Sequence, residues 1–148
     1  MENLKFDSEL AELANPQEFT NPVDIGKERK ETLMKFLQQM LTIRAAEDSI
    51  GKLVVSGEAR APCHLAIGQE AISVGISHNL KATDKVFGNH RSHGHFLSLG
   101  GDVNSLIAEV LGKNSGCAGG MGGSMHLYGD SFGFVGSVPI VGATIPLA

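Results

Sequence analysis

The segment from His90 to His95 concentrates reactive side chains, with three histidines and one arginine in six residues. Imidazoles at this spacing can bind zinc, and His126 or Cys117 could complete a tetrahedral set of ligands. A guanidinium inside the cluster would repel such a cation, and the chain contains neither a CxxC nor an HExxH pattern. Zinc binding is therefore one interpretation of the cluster, although the charge of Arg91 argues against it.

An anion site is the second interpretation. Arg91 offers a planar fork of N–H donors that suits a phosphate, and His93 and His95 can donate as well. A glycine-rich stretch, 116–123, lies between this cluster and Ser124, and such a backbone can turn its N–H groups towards an anion. The stretch fits neither the P-loop nor the dinucleotide-binding pattern. A solvated loop of histidine and arginine is the third alternative.

The longest predicted element before the cluster is a helix from Gly26 to about Lys52. Apolar residues recur there at steps of three and four, which predicts one apolar stripe. The stripe comprises Leu33, Phe36, Leu37, Met40 and Leu41. Arg44 follows late in the helix, where a basic residue is typical of a solvated position near the negative helix end.

A second helix is predicted to begin at residues 68–70, after a turn at 57–62. Its apolar face is predicted to carry Ala71, Ile72, Val74 and Ile76. Glu70 lies in the first turn, where a carboxylate suits the positive end of the helix. A histidine just before this helix, His64, is by composition alone typical of a partly buried side chain bonded to backbone.

Beyond this helix, residues 84–88 are predicted to form a short strand that leads into the cluster. Asp102 is the predicted N-cap of a helix that ends at Gly112. Residues 113–142 are predicted as loop almost throughout, and so long a loop in a compact domain is typically functional or disordered. The apolar segment 139–148 is predicted to begin a buried element, so that either a partner covers this end or the chain is part of a longer protein.

The composition limits the class of protein. Of 148 residues, 42% are hydrophobic and 19% charged, as in a folded globular domain. The net charge of -4 argues against nucleic-acid binding, which needs clustered Lys and Arg. No apolar run is long enough to cross a bilayer, and the acidic N-terminus lacks a targeting signal. With only Cys63 and Cys117 there is no disulfide framework, so we expect a soluble protein of a reducing compartment.

Several motifs occur together in a specific order. NHRSHGH at 89–95 is followed by AEVLGKNSGCAGGMGGSMHLY and PIVGATIPLA, and it is preceded by MLTIRAAED and CHLAIGQEAISVG. From about Glu31 to Ala148 the chain closely resembles the alpha subunit of the thiamine-diphosphate-dependent first component of 2-oxo acid dehydrogenase complexes. Pyruvate, branched-chain 2-oxo acid and acetoin dehydrogenases form this group. Such a series of motifs is far more specific than one glycine-rich loop.

The resemblance implies an α/β thiamine-diphosphate-binding fold with a parallel sheet, of which only the N-terminal helix- and loop-rich part is present. Residues 1–24 would form an N-terminal arm, and 25–148 the N-terminal part of the dehydrogenase domain, truncated before the GDG…N motif. That motif supplies oxygen ligands to the magnesium ion. The implied cofactor is therefore thiamine diphosphate with Mg²⁺, whose ligands lie outside this chain, and no metal ligand is predicted within it.

The resemblance also implies roles for individual residues. Arg91 matches the arginine that binds the cofactor diphosphate, and His90 stands where many members have tyrosine. His64 matches a histidine near the carboxylate of the 2-oxo acid, and His93 falls near the mouth of the active site. The predicted catalytic residues are thus His64 and His93, and the predicted cofactor contacts are Arg91, His90, Ile140 and Val141. The last two match backbone at the aminopyrimidine ring, although Pro139 there replaces a glycine of the family.

The implied reaction is the oxidative decarboxylation of pyruvate or a related 2-oxo acid, with acyl transfer to a lipoyl group. The implied partners are a beta subunit, which supplies the activating glutamate, and the lipoyl-bearing acyltransferase component, in an oligomer of the bacterial cytoplasm or mitochondrial matrix. The chain alone is expected to be inactive. The alternatives are an acetoin dehydrogenase alpha subunit, a non-catalytic assembly fragment that docks through its apolar C-terminal end, and a metal-binding protein.

Overall fold

A computed structural model describes residues 24–147, so the predicted N-terminal arm lies almost wholly outside the described residues. The contacts divide the chain into two units, Met1–Lys30 and Glu31–Ala148. In the described part of the first unit, the Gly26 N–H donates to the Asp24 carboxylate at 2.8 Å. The elements that carry the candidate site belong to the second unit, and the division of the chain into an arm and a dehydrogenase domain stays a prediction.

Helix α1 (Lys30–Val55) confirms the predicted long helix, but it begins later and ends later than expected. It continues through Gly51, which packs close to the Leu65 side chain. The predicted apolar stripe is correct only in part: Phe36 and Met40 pack against the core, whereas Leu37 and Leu41 are 46% and 59% exposed. The fully buried residues of the helix lie in its second half and are Ile43, Ala46, Glu47 and Ile50.

Helix α2 (Glu70–Asn79) begins where the sequence predicted, but its apolar face is wrong. Ile72 and Ile76 are exposed, and of the four predicted residues only Val74 is buried. The reason lies in the contact with helix α3 (His93–Ser98), which requires small residues. A Cβ atom on Gly94 of α3 would lie 2.5 Å from the Ser73 hydroxyl oxygen.

Two further elements frame the histidine cluster. Strand β1 (Val86–Gly88) confirms the predicted strand, whereas helix α3 was not predicted. Helix α4 (Val103–Val110) confirms the predicted helix and its cap, since the Asp102 carboxylate accepts from the Ser105 N–H at 2.8 Å. The α3 helix escaped prediction because its first turn consists of the polar cluster, although His93, Phe96 and Leu97 are all buried.

Strand β2 (Phe134–Ser137) lies inside the segment 113–142, which was predicted as loop almost throughout, and was not predicted itself. It pairs in parallel with β1, with Val86 opposite Phe134 and Gly88 opposite Ser137, and the register shifts after Val86. Four residues that include a glycine carry little strand signal by themselves, and the partner strand is remote in sequence. The result is a small two-stranded parallel sheet with helices, which is compatible with an α/β fold.

The hydrophobic core joins these helices and the sheet. Phe96 lies at its centre and contacts Phe132 and Phe134 edge to face, with ring centroids 5.3 and 6.0 Å apart. The largest buried apolar side chains of the core are Ile43, Ile50, Phe96, Leu106, Leu127 and Phe134. No helix within residues 24–147 combines the length and hydropathy that crossing a membrane requires.

The prediction of a buried element at 139–148 is wrong for the part that is described. A turn leads into the short helix α5 (Thr144–Leu147), which lies beside β1. Ile140, Val141 and Ile145 expose 69%, 83% and 81% of their surface. The apolar sequence therefore forms a surface of this chain and contributes little to its core.

Candidate functional site

The predicted cofactor contacts follow the carboxyl ends of the two strands. His90 and Arg91 come just after β1, and Ile140 and Val141 come just after β2. The Val138 N–H donates to the Gly88 carbonyl oxygen at 3.0 Å, so both segments leave the sheet side by side. In open α/β sheets this edge is where ligands bind.

Arg91 connects this edge to the segment that contains His64. Its backbone N–H donates to the Asn89 side-chain oxygen at 2.7 Å, which closes a tight turn after β1. Its guanidinium Nη1 donates to the Leu65 carbonyl oxygen. Because the side chain is only half-buried and presents a fork of several N–H groups, it can bind a second acceptor as well.

His64 and His90 lie against each other at this site. Their rings meet edge to face with centroids 5.0 Å apart. The Nδ1 atoms of both rings are buried, and neither has a hydrogen-bond partner within residues 24–147. Buried polar atoms nearly always have a partner, so two such nitrogens in contacting rings, adjacent in sequence to Arg91 and to its acceptor Leu65, point to a binding site. The set of one fixed cation and two imidazoles fits an anionic group such as a diphosphate or a carboxylate.

His93 lies deeper than the resemblance implies. The side chain is completely buried, with Nδ1 3.1 Å from a Glu47 carboxylate oxygen and Nε2 2.8 Å from the Ser124 hydroxyl. Both ring nitrogens are thus engaged inside the chain, and the side chain has no exposed surface. A catalytic role for His93 stays a prediction. Its partner Glu47 was not predicted, although the helical periodicity could have indicated it as a charge on the buried face of α1.

The glycine-rich loop wraps a carboxylate of this chain. Four backbone N–H groups donate to the fully buried Glu109 side chain, two to each oxygen. They belong to Ala118, Gly120, Gly122 and Gly123, at 2.7, 2.9, 2.7 and 3.2 Å. The interpretation that these amides bind phosphate therefore fails in this conformation, because Glu109 is the anion that they hold.

The close fit of this loop explains its glycine content. Gly120 has a φ of +78°, and a Cβ atom there would lie 2.6 Å from the Gly112 carbonyl carbon. A Cβ atom on Gly122 would lie 2.1 Å from the His126 carbonyl oxygen. Only glycine can adopt such a backbone and approach so closely, so these residues are required by the cradle around Glu109.

The same unit also contains a partly buried ion pair and two free thiols. The Arg44 side chain donates to Glu70 at 2.6 Å and, with the Gly68 N–H, holds the pKa of that carboxyl at about 2. This pair ties α1 to α2 and gives Arg44 a partner that periodicity did not reveal. Burial raises the pKa of the Cys63 and Cys117 thiols. Both cysteines are therefore held in the weakly nucleophilic thiol form at neutral pH.

Two other features of this unit bear on the alternatives. Within the described part of the chain, no three or more His, Cys, Asp or Glu side chains are grouped to hold a metal ion. His93 is also not available as a zinc ligand, because its ring nitrogens contact Glu47 and Ser124. A cleft of about 570 Å³, lined in part by Arg60 and Lys113, lies along the glycine-rich loop on the Glu109 side and not at the His64–His90 pair.

Comparison with known proteins places this arrangement in context. Residues 38–148 match the sequence profile of a family described as Dehydrogenase E1 component. A pyruvate dehydrogenase E1 component subunit alpha of Zymomonas mobilis is 42% identical over 119 residues, which cover 80% of this chain and 34% of that protein. The mitochondrial subunit of the same name from Saccharomyces cerevisiae is 38% identical over 140 residues, or 94% of this chain and 33% of that protein. The chain thus spans about a third of the length of these relatives.

Proposed function

The chain belongs to the Dehydrogenase E1 component family, and on this basis we propose that it forms one wall of a thiamine-diphosphate site in a 2-oxo acid dehydrogenase. One observation carries the proposal: the His64 and His90 rings contact each other, their Nδ1 atoms have no partner in the described residues, and Arg91, next to His90, donates to the carbonyl of Leu65, next to His64. The names of the relatives favour pyruvate as the 2-oxo acid over acetoin or branched-chain substrates. They include mitochondrial and bacterial proteins, so either compartment is consistent with the proposal.

Thiamine diphosphate, when bound, supplies the carbanion chemistry by which a 2-oxo acid loses CO₂. Arg91 would bind the diphosphate through N–H groups other than the one on the Leu65 carbonyl, and His90 would lie beside it. His64 would donate to the carboxylate of the 2-oxo acid and so orient it. The backbone at Ile140 and Val141, at the same edge of the sheet, would border the aminopyrimidine ring.

The remaining parts of the proposed enzyme come from outside this chain. The Mg²⁺ ligands would follow in a GDG…N segment, and a beta subunit would supply the glutamate that activates the cofactor. The acyl group would pass to the lipoyl group of an acyltransferase component within an oligomeric complex. The exposed Ile140, Val141 and Ile145 favour a second candidate, an assembly fragment that docks through this surface without binding cofactor.

A chimera tests the proposal. This chain replaces the matching segment of the Zymomonas mobilis alpha subunit, and the product is expressed with the beta subunit of that enzyme. We expect decarboxylation of pyruvate with a dye as electron acceptor, and saturable binding of thiamine diphosphate with Mg²⁺. The isolated chain should show no turnover and very weak binding, because it holds only part of the site. Rapid decarboxylation by the isolated chain would contradict the idea of a shared site.

Substitution of Arg91 tests the diphosphate contact directly. In the chimera, Arg91→Ala should raise the cofactor Kd about 10- to 100-fold, since a hydrogen bond to a charged group contributes about 1.5–3 kcal/mol. Arg60→Ala, which removes an exposed arginine at the cleft along the glycine-rich loop, is the matched control and should leave the Kd unchanged. If Arg91→Ala left the cofactor affinity intact, the proposed role of Arg91 would be wrong. If the chain were a non-catalytic assembly fragment, the complex would still form, and thiamine diphosphate would have no effect on it in any variant.

A further inference from the structure

Glu47, His93 and Ser124 form a buried chain of hydrogen bonds that the proposed function does not use. The side chains are 0%, 0% and 1% exposed. His93 joins the Glu47 carboxylate at 3.1 Å to the Ser124 hydroxyl at 2.8 Å. The other Glu47 oxygen accepts from the Ala66 N–H at 3.1 Å. This series of hydrogen bonds therefore connects the glycine-rich loop to the segment that contains His64.

The tautomer of His93 depends on whether Glu47 is ionised. An ionised carboxylate only accepts, so the Nδ1 atom of His93 then carries the proton that it donates to Glu47. In the neutral ring Nε2 then accepts from the Ser124 hydroxyl. The alternative, a protonated Glu47 donating to Nδ1, would leave the proton on Nε2. The tautomer therefore reports which of these two arrangements exists.

The backbone next to His64 is held from two sides. Arg91 donates to the Leu65 carbonyl oxygen, and Glu47 accepts from the Ala66 N–H. The His64 ring contacts the His90 ring edge to face, and its Nδ1 atom has no bonded partner in the described chain. Its orientation therefore depends on the position of its backbone, and Glu47 is one of the two groups that hold that backbone.

We propose that Glu47 and His93 are positioning residues, which fix the backbone of residues 64–66 so that His64 meets the carboxylate of the substrate. His93 holds the Glu47 carboxylate in place through Nδ1, and Ser124 occupies Nε2. The substrate-facing role of His64 rests on the function proposed above, whereas the positioning of the backbone does not depend on it. The predicted catalytic contact of His93 is replaced in this proposal by an action through Glu47.

Two substitutions of His93 separate its two hydrogen bonds. In His93→Asn the side-chain amide takes the place of Nδ1 and can still donate to Glu47, but it is too short for Ser124. In His93→Gln the amide reaches towards Ser124 and loses the donor at Nδ1. In the chimeric enzyme we expect His93→Gln to raise the KM for pyruvate about tenfold, and His93→Asn to raise it less than about threefold. The cofactor Kd should be unchanged in both, and Ser124→Ala should resemble His93→Asn.

Two measurements do not depend on activity. The ¹⁵N spectrum of the full 148-residue chain should show a protonated Nδ1 and an unprotonated Nε2 for His93. Hydrogen exchange of the Ala66 amide should be faster in His93→Gln than in His93→Asn. A proton on Nε2 alone, equal KM values in the two variants or equal Ala66 exchange would overturn the proposal. If the chimera were inactive, the proposed function would fail, while the tautomer and the Ala66 exchange would still decide the positioning role.

Discussion

Replacing Glu109 by glutamine tests whether this carboxylate organises the glycine-rich loop. The side chain is fully buried, and each of its two oxygens accepts from two backbone N–H groups of the loop. Glutamine has nearly the same shape, but one oxygen becomes an NH₂ group. Two of the four backbone donors would then face another donor, and the charge that strengthens all four bonds would be lost.

The number of hydrogen bonds lost sets the size of the expected destabilisation. A hydrogen bond to a charged group contributes about 1.5–3 kcal/mol, so that loss of two such bonds should cost about 3–6 kcal/mol. This is a large part of the total stability of a domain, which is about 5–15 kcal/mol. We therefore expect Glu109→Gln to lower the free energy of unfolding strongly, or to release the loop from the folded remainder of the chain.

Urea unfolding followed by circular dichroism measures the change in stability, and hydrogen exchange locates it. The amides of Ala118, Gly120, Gly122 and Gly123 should lose protection together in Glu109→Gln. Glu58→Gln is the matched control, because Glu58 is an exposed carboxylate that accepts from the Ser56 hydroxyl. That substitution should change the stability by less than about 0.5 kcal/mol.

A rescue experiment distinguishes the cradle from a general packing effect. Glu109→Ala removes the carboxylate and leaves four donors around a space that a small anion can enter. Formate should raise the stability of this variant in a saturable manner and restore protection of the four amides, while chloride should do less. Unchanged unfolding midpoints and fully protected amides in Glu109→Gln would refute the idea that the charge of Glu109 holds the loop.

Two further predictions concern an ion pair and a backbone conformation. The pKa of Glu70 is lowered from 4.5 to about 2 by Arg44 and by backbone N–H groups. The stabilisation from ionised Glu70 is therefore complete above about pH 4.5 and is lost as the pH falls towards 2. The difference in Tm between the wild type and Glu70→Gln should disappear over that range, and a difference independent of pH would contradict the assignment. Gly119→Ala should cost about 1–2 kcal/mol, because its φ of +68° is unfavourable for alanine but its Cβ would meet no atom of the described chain within 4 Å. Gly120→Ala should cost about 1–3 kcal/mol more, because its Cβ would also strike the Gly112 backbone; equal urea midpoints for the two variants would exclude this clash.

The sequence predicted the elements whose signals are local. The periodicity of α1, the first turn of α2 and the Asp102 cap of α4 each depend on neighbouring residues, and all three elements are present. Strand β2 could not be predicted in this way, since its partner β1 is remote in sequence. The exposed Ile72 and Ile76 were misassigned for a related reason, because the buried side of α2 is set by the small residues that α3 demands.

The candidate site could likewise be predicted only in part from the sequence. The family resemblance singled out His64, His90 and Arg91, and the structure brings them together although His64 is far from the other two in sequence. The burial of His93 could not be predicted from composition. A histidine is polar and is expected to be buried only when both ring nitrogens have hydrogen-bond partners, which the sequence does not show. The partner of the glycine-rich loop was equally hidden, since a cradle of amides suits any anion and only the fold identifies it as Glu109.

The parallel pairing of β1 with β2 also bears on the order in which this chain folds. The strands are separated by the whole segment from Gly88 to Phe134. Closing so long a loop costs conformational entropy before the strand pairing can stabilise the fold. Two strands are marginally stable on their own, so the helices should form first and the sheet should close late. The turn after β2, with Ile140 and Val141, would then reach its place last, and refolding of this edge should lag behind the recovery of helical signal.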